Sequence, residues 1–317
     1  MTSDGKQRDR LSVVLSFRNE EQVIPELIRR LGEALAECDA DYELIFVNDD
    51  STDRSLEILR AQAAADSRVK VITMSRRFGI SECLIAGIER ARGDAVIYLD
   101  CDLQDPPELI PALVAEWRKG ADVVYTVRTR RVDESRLKIL ITRLAYRLIA
   151  SLSEVALPIE AGDFRLLSRR AANELLRLAE GDPYVRGLTI WIGFRQVAVP
   201  YERQPRFAGQ GHFPILTSAN PVKAFLAGVT AFSMVPLYLI LILGLLGTAL
   251  GALGLAASAL AAVLGAAAGG TALAFFYLLL WATLMTALGI VGIYVSRIYR
   301  DVRGRPRYIV ADTIGFE

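Results

Sequence analysis

Charge is missing from one long stretch of this 317-residue sequence: no Asp, Glu, Lys, Arg or His stands between Lys223 and Arg297. That absence excludes an ordinary soluble core, which at this length needs polar breaks between its elements. Cysteine is scarce too. Cys38, Cys83 and Cys101 are widely spaced and lack a C-x-x-C or clustered histidines, which argues against a disulfide framework or zinc site and fits a reducing cytoplasm. The single histidine, His212, sits in a glycine-flanked loop and reads as exposed. A net charge of +1 supplies no basic field, so nucleic acid is not an expected partner. Neither G-x-G-x-x-G nor G-x-x-x-x-G-K-[ST] occurs, which removes the dinucleotide fingerprint and the P-loop. Met1 to Arg10 is polar, without the apolar run of a signal peptide, and predicts a front domain that stays in the cytosol.

What fills the uncharged stretch is apolar. One spanning helix takes roughly 20 such residues, so the block suits two passes broken at Gly265 to Gly270. The expected spans are about 234–264 and 271–296, with an interfacial lead-in at 217–233 and a basic cytoplasmic tail at 297–317. Lys223 precedes the hairpin, and Arg297, Arg300, Arg303, Arg305 and Arg307 follow it, while the turn carries no positive charge. Both ends are therefore expected in the cytoplasm, as in a multi-pass protein of the cytoplasmic membrane. Gly244, Gly247, Gly251 and Gly254 form a helical stripe that lets another helix approach, within the hairpin or in a homo-oligomer.

The front part, 1–216, alternates short apolar runs with helix-length patterns. Leu11 to Ser16, Tyr42 to Asn48, Val69 to Met74, Ala95 to Leu99 and Asp122 to Val127 read as buried strands. Between them, Glu21 to Glu37, Ser55 to Ala65, Gly79 to Ala91 and Pro107 to Lys119 read as helices. This order predicts an α/β domain with a mainly parallel, doubly wound sheet, whose ligands sit beyond the carboxyl ends of the strands. Acids collect at three of those ends: Phe17-Arg18-Asn19-Glu20-Glu21, Asn48-Asp49-Asp50-Ser51-Thr52-Asp53 and Asp100-Cys101-Asp102-Leu103-Gln104-Asp105. If the chain stays extended past the fourth strand, Asp100 and Asp102 share a face and can hold one divalent ion, with Gln104 adding an amide oxygen. Asp105, just before Pro106-Pro107-Glu108, reads as a helix start. Trp191, Phe194 and Tyr201 read as core or interface aromatics rather than sugar platforms.

The segment from Asp100 to Glu108 resembles the D-A-D-L-Q-D-P-P-E segment of family 2 glycosyltransferases. The similarity is greatest to the polyprenyl-phosphate group, which includes dolichyl-phosphate mannose synthases and bacterial membrane-anchored glucosyltransferases. Asn19-Glu20-Glu21, Asp49 with Ser51-Thr52-Asp53, Gly162-Asp163-Phe164-Arg165-Leu166, Pro205-Arg206-Phe207-Ala208-Gly209 and Arg307-Tyr308-Ile309-Val310 match as well. The resemblance implies a GT-A nucleotide-sugar-binding fold followed by a two-helix transmembrane hairpin. It further implies a nucleotide-sugar donor, Mg2+ or Mn2+, a polyprenyl-phosphate acceptor and inversion at the anomeric carbon. It places Phe17, Asn19, Glu20, Asp49, Ser51 and Asp100 around the donor, and Asp100, Asp102 and Gln104 on the metal. Departures cluster at the donor pocket: Ser16, Arg18, Asp50, Arg77 and Ile80 stand where the group has Pro, Tyr, Gly, Asn and Lys. They bear on the base and sugar, with UDP-glucose the expected donor and GDP-mannose behind it.

An acceptor phosphate is already ionised, so repulsion is the obstacle rather than proton removal. Two unit charges 4 Å apart repel by about 4 kcal/mol at an effective dielectric of 20, so fixed cations are needed. By resemblance, Arg128, Arg165 and Arg206 are the acceptor-phosphate ligands, and guanidinium forks suit phosphate oxygens. Asp102, Asp163, Arg128 and Arg165 make up the expected catalytic set, with Asp163 orienting Arg165, touching the sugar or acting as a weak base. Two rival readings are weaker. A processive polysaccharide synthase lacks its Q-x-x-R-W motif here, and an inactive nucleotide-binding scaffold is motivated only by the pocket departures.

Overall fold

The computed structural model describes residues 8–130, 161–178, 180–181, 183–205, 207, 235–264 and 270–316. Its first half follows the alternating order read from the sequence. Strand β1 (Arg10–Phe17) leads to helix α1 (Ile24–Ala36), β2 (Asp41–Asn48) to α2 (Ser55–Ala65), and β3 (Val69–Met74) to α3 (Ile80–Arg90). Strand β4 (Ala95–Asp100) leads through a short 3-10 turn, Pro107–Leu109, into α4 (Ile110–Arg118). Then come β5 (Val123–Arg130), β6 (Ala161–Ser168), α5 (Arg169–Arg177), α6 (Val185–Trp191) and β7 (Gln196–Glu202). Two long helices, α7 (Val235–Val263) and α8 (Gly270–Val302), precede a last strand, β8 (Val310–Ile314).

The strands form one eight-stranded sheet in the order β7-β5-β6-β4-β1-β2-β3-β8. Pairings β1–β2, β1–β4, β2–β3 and β5–β7 are parallel, whereas β6 and β8 run against their neighbours. The sheet is thus mainly parallel. Its central strands are apolar on both faces, as a doubly covered sheet demands: in β1, Leu11, Val13 and Leu15 join one core and Val14 the other. Helices α1, α2 and α4 cover the first face, and α3, α5 and α6 the second.

Helix α1 shows why the layers hold. Pro25 opens its first turn, and Ile24, Leu27, Leu31 and Leu35 recur at three- and four-residue spacing on the buried side. Each such Leu or Ile contributes about 1.5–3 kcal/mol by leaving water, and truncating one to Ala would cost about 2–5 kcal/mol. Helix α3 approaches the sheet so closely that a Cβ on Gly87 would lie 2.3 Å from Val14 Cγ1. Only glycine fits there.

Two expectations change in the C-terminal part. The second helix runs past Ser296 to Val302, and the expected basic tail, 297–317, is part helix and part strand, because β8 pairs antiparallel with β3. The tail is also fastened by side chains: Arg307 donates to Leu178 O, Tyr308 to Glu89, and Arg60 pairs with Asp312 at 3.3 Å. Of the glycine stripe, a Cβ on Gly247 would meet Leu280 at 3.8 Å and one on Gly251 would meet Phe276 at 3.4 Å, so half of it serves packing between α7 and α8. Among the described residues, Leu279–Val302 is long and apolar enough to cross a membrane, and Ile242–Gly251 is a shorter apolar stretch. The expected lead-in at 217–233, the break at 265–269, Arg206 and His212 lie outside the described residues.

Candidate active site

The carboxyl ends of β1, β2, β4 and β5 gather at one end of the sheet, where β6 begins. There the loops after β1 and β2 are stitched together. Asn19 takes a left-handed backbone (φ 57°), its N–H donates to Ser51 Oγ at 3.1 Å, and its Oδ1 accepts the Thr52 N–H at 2.8 Å. Glu20 N–H donates to Ser55 Oγ at 2.9 Å, and Glu21 N–H to Asp53 Oδ2 at 3.1 Å. Asp49 is buried and receives the Phe78 and Gly79 N–H groups at 2.7 and 3.3 Å, tying the loop after β3 to the same corner. Asp50 has φ 59°, a conformation glycine favours and Asp tolerates, which accounts physically for the substitution there. Phe17, expected at the donor, is a correction of degree: its ring is buried edge to face on Phe46, so only its backbone borders this corner.

The segment after β4 differs from its expected form. The chain does not stay extended past Asp100 but turns at once, and Leu103 takes φ 57°. A left-handed leucine costs roughly 1–2 kcal/mol, and the burial of Leu103 and Cys101 in the core holds it. Asp100 and Asp102 are therefore brought together by a turn rather than by strand alternation. Gln104 takes part through its backbone: its N–H donates to Asp102 Oδ1 at 3.1 Å, and its carbonyl accepts the Gln204 N–H at 3.0 Å. Asp105 caps no helix, since Pro106 flanks the 3-10 turn. It is wholly buried and accepts a hydrogen bond from the Tyr201 hydroxyl, with Arg203 at 3.7 Å.

The antiparallel register of β4 and β6 pairs Tyr98 with Arg165 and so carries Asp163 alongside Asp100. Burial, then Asp163, Asp102 and Asp105, push the Asp100 carboxyl up to about 8. Asp163 goes the other way. Burial alone would raise it, but Arg186 grips both its oxygens, with Nε at 3.0 Å from Oδ1, and with Arg128 and Arg165 nearby it falls to about 2. Its side chain still keeps 37% of its accessible surface, so it reaches solvent. Arg128, from the end of β5, donates through Nε to the Tyr201 hydroxyl at 3.2 Å.

Arg165 is 0% exposed. It bonds Gly162 O at 3.3 Å, Arg186 O at 3.0 Å and Thr189 Oγ1, and among the described residues its Nη2 has no partner. The structure thus buries it on internal partners instead of presenting it to an acceptor phosphate. Arg186, Asp105 and Tyr201 were missed as site residues. The available signal was Asp163 and Arg165 two apart on one strand face, a buried ion pattern that needs partners from elsewhere. Trp191, read as core or interface, is 55% exposed.

The residues fit a divalent cation. Asp100, Asp102, Asp105 and Asp163 place like charge close together, a repulsion that a cation relieves. Among the described residues no three His, Cys, Asp or Glu side chains converge as a finished metal site. Two carboxylates make an incomplete oxygen shell, which suits Mg2+ or Mn2+ with positions left for phosphate oxygens.

A Rossmann-like parallel sheet with acids at its switch point and arginines facing them is the plan of a sugar-transferring enzyme with a GT-A-like fold. Residues 12–176 match Glycosyl transferase family 2. The chain belongs to that family. It is 40% identical over 308 residues to an uncharacterised glycosyltransferase, YkcC, of Bacillus subtilis, covering 96% of this chain and 94% of that one. It is 33% identical over 306 residues to the bactoprenol glucosyl transferase of Shigella phage SfII, covering 95% and 97%. Among solved structures, glucosyl-3-phosphoglycerate synthase from Mycobacterium tuberculosis shares the fold at a TM-score of 0.50 and 24% identity, covering 70% of this chain and 76% of that one.

Proposed function

We propose that this enzyme transfers glucose from UDP-glucose to a polyprenyl phosphate at the cytoplasmic face of a membrane, in one inverting displacement assisted by Mg2+ or Mn2+. The observation that carries the reading is the meeting of two charge sets at one end of the sheet: Asp100 and Asp102 for a cation-bound diphosphate, and Arg128 for an incoming phosphate. The bactoprenol glucosyl transferases at 32–33% identity over nearly the whole chain support lipid phosphate as acceptor and glucose as the sugar.

In the reaction, an acceptor phosphate oxygen forms a bond to the anomeric carbon as the bond to the nucleotide diphosphate breaks. A bound divalent ion supplies charge neutralisation to the departing diphosphate. Asp100 and Asp102 hold that ion, the Asn19, Ser51 and Asp49 corner cradles the nucleoside, and Arg128 offsets the repulsion between phosphates, with Arg206 as a further ligand. Asp163, held ionised by Arg186, is a poor proton acceptor. Its part is to touch the sugar or orient the arginines, and Arg165 backs it from below.

The apolar helices make the membrane the natural setting. Leu245, Leu253, Leu279 and Trp281 are all more than half exposed, an apolar surface too large to leave in water. Because β8 returns to the sheet that β1 begins, a chain crossing a bilayer between them crosses an even number of times, which favours a hairpin of α7 and α8 with both ends in the cytoplasm. The helix end at Asp301 also bonds Gly181 N–H at 2.8 Å, shortly before Arg186, which grips Asp163, so the site and the bilayer boundary lie together in this reading. The test is a panel of nucleotide sugars given to membranes holding the protein, with prenyl phosphate and manganese. Glucose from UDP-glucose should enter the lipid fraction; no lipid product from any donor, or the same yield after chelation, contradicts the proposal.

A further inference from the structure

We infer that Tyr201, anchored by Asp105, is a positioning residue that aims the Arg128 guanidinium at the acceptor phosphate; this rests on the acceptor reading above. Arg128 and Tyr201 are register partners on the parallel strands β5 and β7, so their side chains stand next to each other on one face. The tyrosine hydroxyl has a single proton and gives it to Asp105 Oδ1, leaving a lone pair for the Arg128 Nε–H at 3.2 Å. Asp105 cannot turn elsewhere. It is fully buried, its Oδ2 has no hydrogen-bond partner among the described residues, and the nearest Arg203 nitrogen is 3.7 Å away.

The chain Asp105–Tyr201–Arg128 therefore has one polarity and fixes the arginine by its Nε edge. Among the described residues the two terminal nitrogens of Arg128 make no hydrogen bond, and that is the edge a phosphate takes in bidentate fashion. Space is kept for the hydroxyl: a Cβ on Gly162 would stand 3.3 Å from it and 2.6 Å from Thr126 Oγ1. The same junction joins the loop that carries the metal acids to the end of β7, through Gln204 N–H to Gln104 O at 3.0 Å. Packing alone would need only the ring. The hydroxyl is what orients the arginine.

The experiment is a double-mutant cycle on the full-length protein with Tyr201→Phe, Arg128→Lys and the pair, reading farnesyl phosphate binding by calorimetry and transfer kinetics from UDP-glucose. Tyr201→Phe should weaken farnesyl phosphate binding and raise its KM by about tenfold while the UDP-glucose KM stays put, as loss of a hydrogen bond to a charged group implies. In the Arg128→Lys background the same change should cost less than about twofold, because the two residues act as one unit. Equal losses in both backgrounds, or an unchanged farnesyl phosphate affinity, overturn the inference. A wild type that binds farnesyl phosphate through this coupled pair yet transfers no glucose refutes the proposed reaction and leaves the positioning role standing; a wild type that binds no farnesyl phosphate refutes both. If Tyr201→Phe unfolds, Asp105→Asn reads the same coupling.

Discussion

The two ends of the sheet treat buried charge in opposite ways. At the amino end Glu43 is almost wholly buried and receives Lys70 Nζ at 2.8 Å, Ser12 Oγ at 2.6 Å, Arg92 N–H at 2.8 Å and Arg10 at 3.2 Å. Asp122 is likewise held by Arg170 and by Ser168 Oγ at 2.8 Å. At the carboxyl end Asp100 is crowded by three other acids, Asp105 keeps an unpaired oxygen, and Arg128 keeps a free edge among the described residues. Each end buries acids, but while the amino end pairs Glu43 and Asp122 with cations, the carboxyl end leaves Asp100 and Asp105 raised by burial and like charge even though Arg186 grips Asp163. Charge that a fold neutralises internally serves stability, and charge it leaves open serves a ligand.

Changes at the carboxyl end should therefore cost activity and spare the fold. The largest effect expected is from Asp102→Ala, which should lower kcat/KM by on the order of 10³-fold, with little change in melting temperature. Arg186→Gln, which frees Asp163, should lower kcat by about 10- to 100-fold with a smaller change in UDP-glucose KM, read in the same assay.

Changes at the amino end should do the reverse. Glu43→Gln should cost about 3 kcal/mol in urea unfolding, because Lys70 is left buried without its partner, while the folded fraction keeps its kcat. The pH dependence has a definite sign. Burial would raise the Glu43 carboxyl, but Lys70, Ser12 and Arg92 hold it below its ordinary 4.5, so its contribution is present above that value and lost as pH falls through the lower folded value. Glu43→Gln should therefore flatten the acid limb of the stability profile. Arg170→Ala is the smallest: its side chain is largely exposed and Ser168 Oγ still donates to the buried Asp122, so the cost is about 1 kcal/mol with no change in transfer rate. Should Glu43→Gln abolish transfer in folded protein, the contrast between the two ends fails.

The same contrast explains what could be read from the sequence. Strands β1 to β5 and helices α1 to α4 fall close to their expected ranges because each carries a regular apolar period or a continuous apolar run. Strand β6 was legible only as a family motif, since Asp163 and Arg165 put charge into its buried face and spoil the pattern. Strand β8 escaped because it is a short, largely exposed edge strand that pairs with a partner more than 200 residues earlier. Of the site, the acids at strand ends were visible from position alone. Arg186 was not, because its pairing with Asp163 depends on the helix α6 turning back over the sheet. Asp105 was misread because two prolines after it imitate a helix start, whereas burial gives it to Tyr201.

The central claim is that the carboxyl end is an incomplete charge assembly finished by a cation and a nucleotide diphosphate. Calorimetric titration of UDP into the purified full-length protein, with and without Mn2+, tests it most directly. The account predicts tight binding only when Mn2+ is present, and no such difference in Asp102→Ala; equal UDP affinity with and without Mn2+ in the unaltered protein would contradict it.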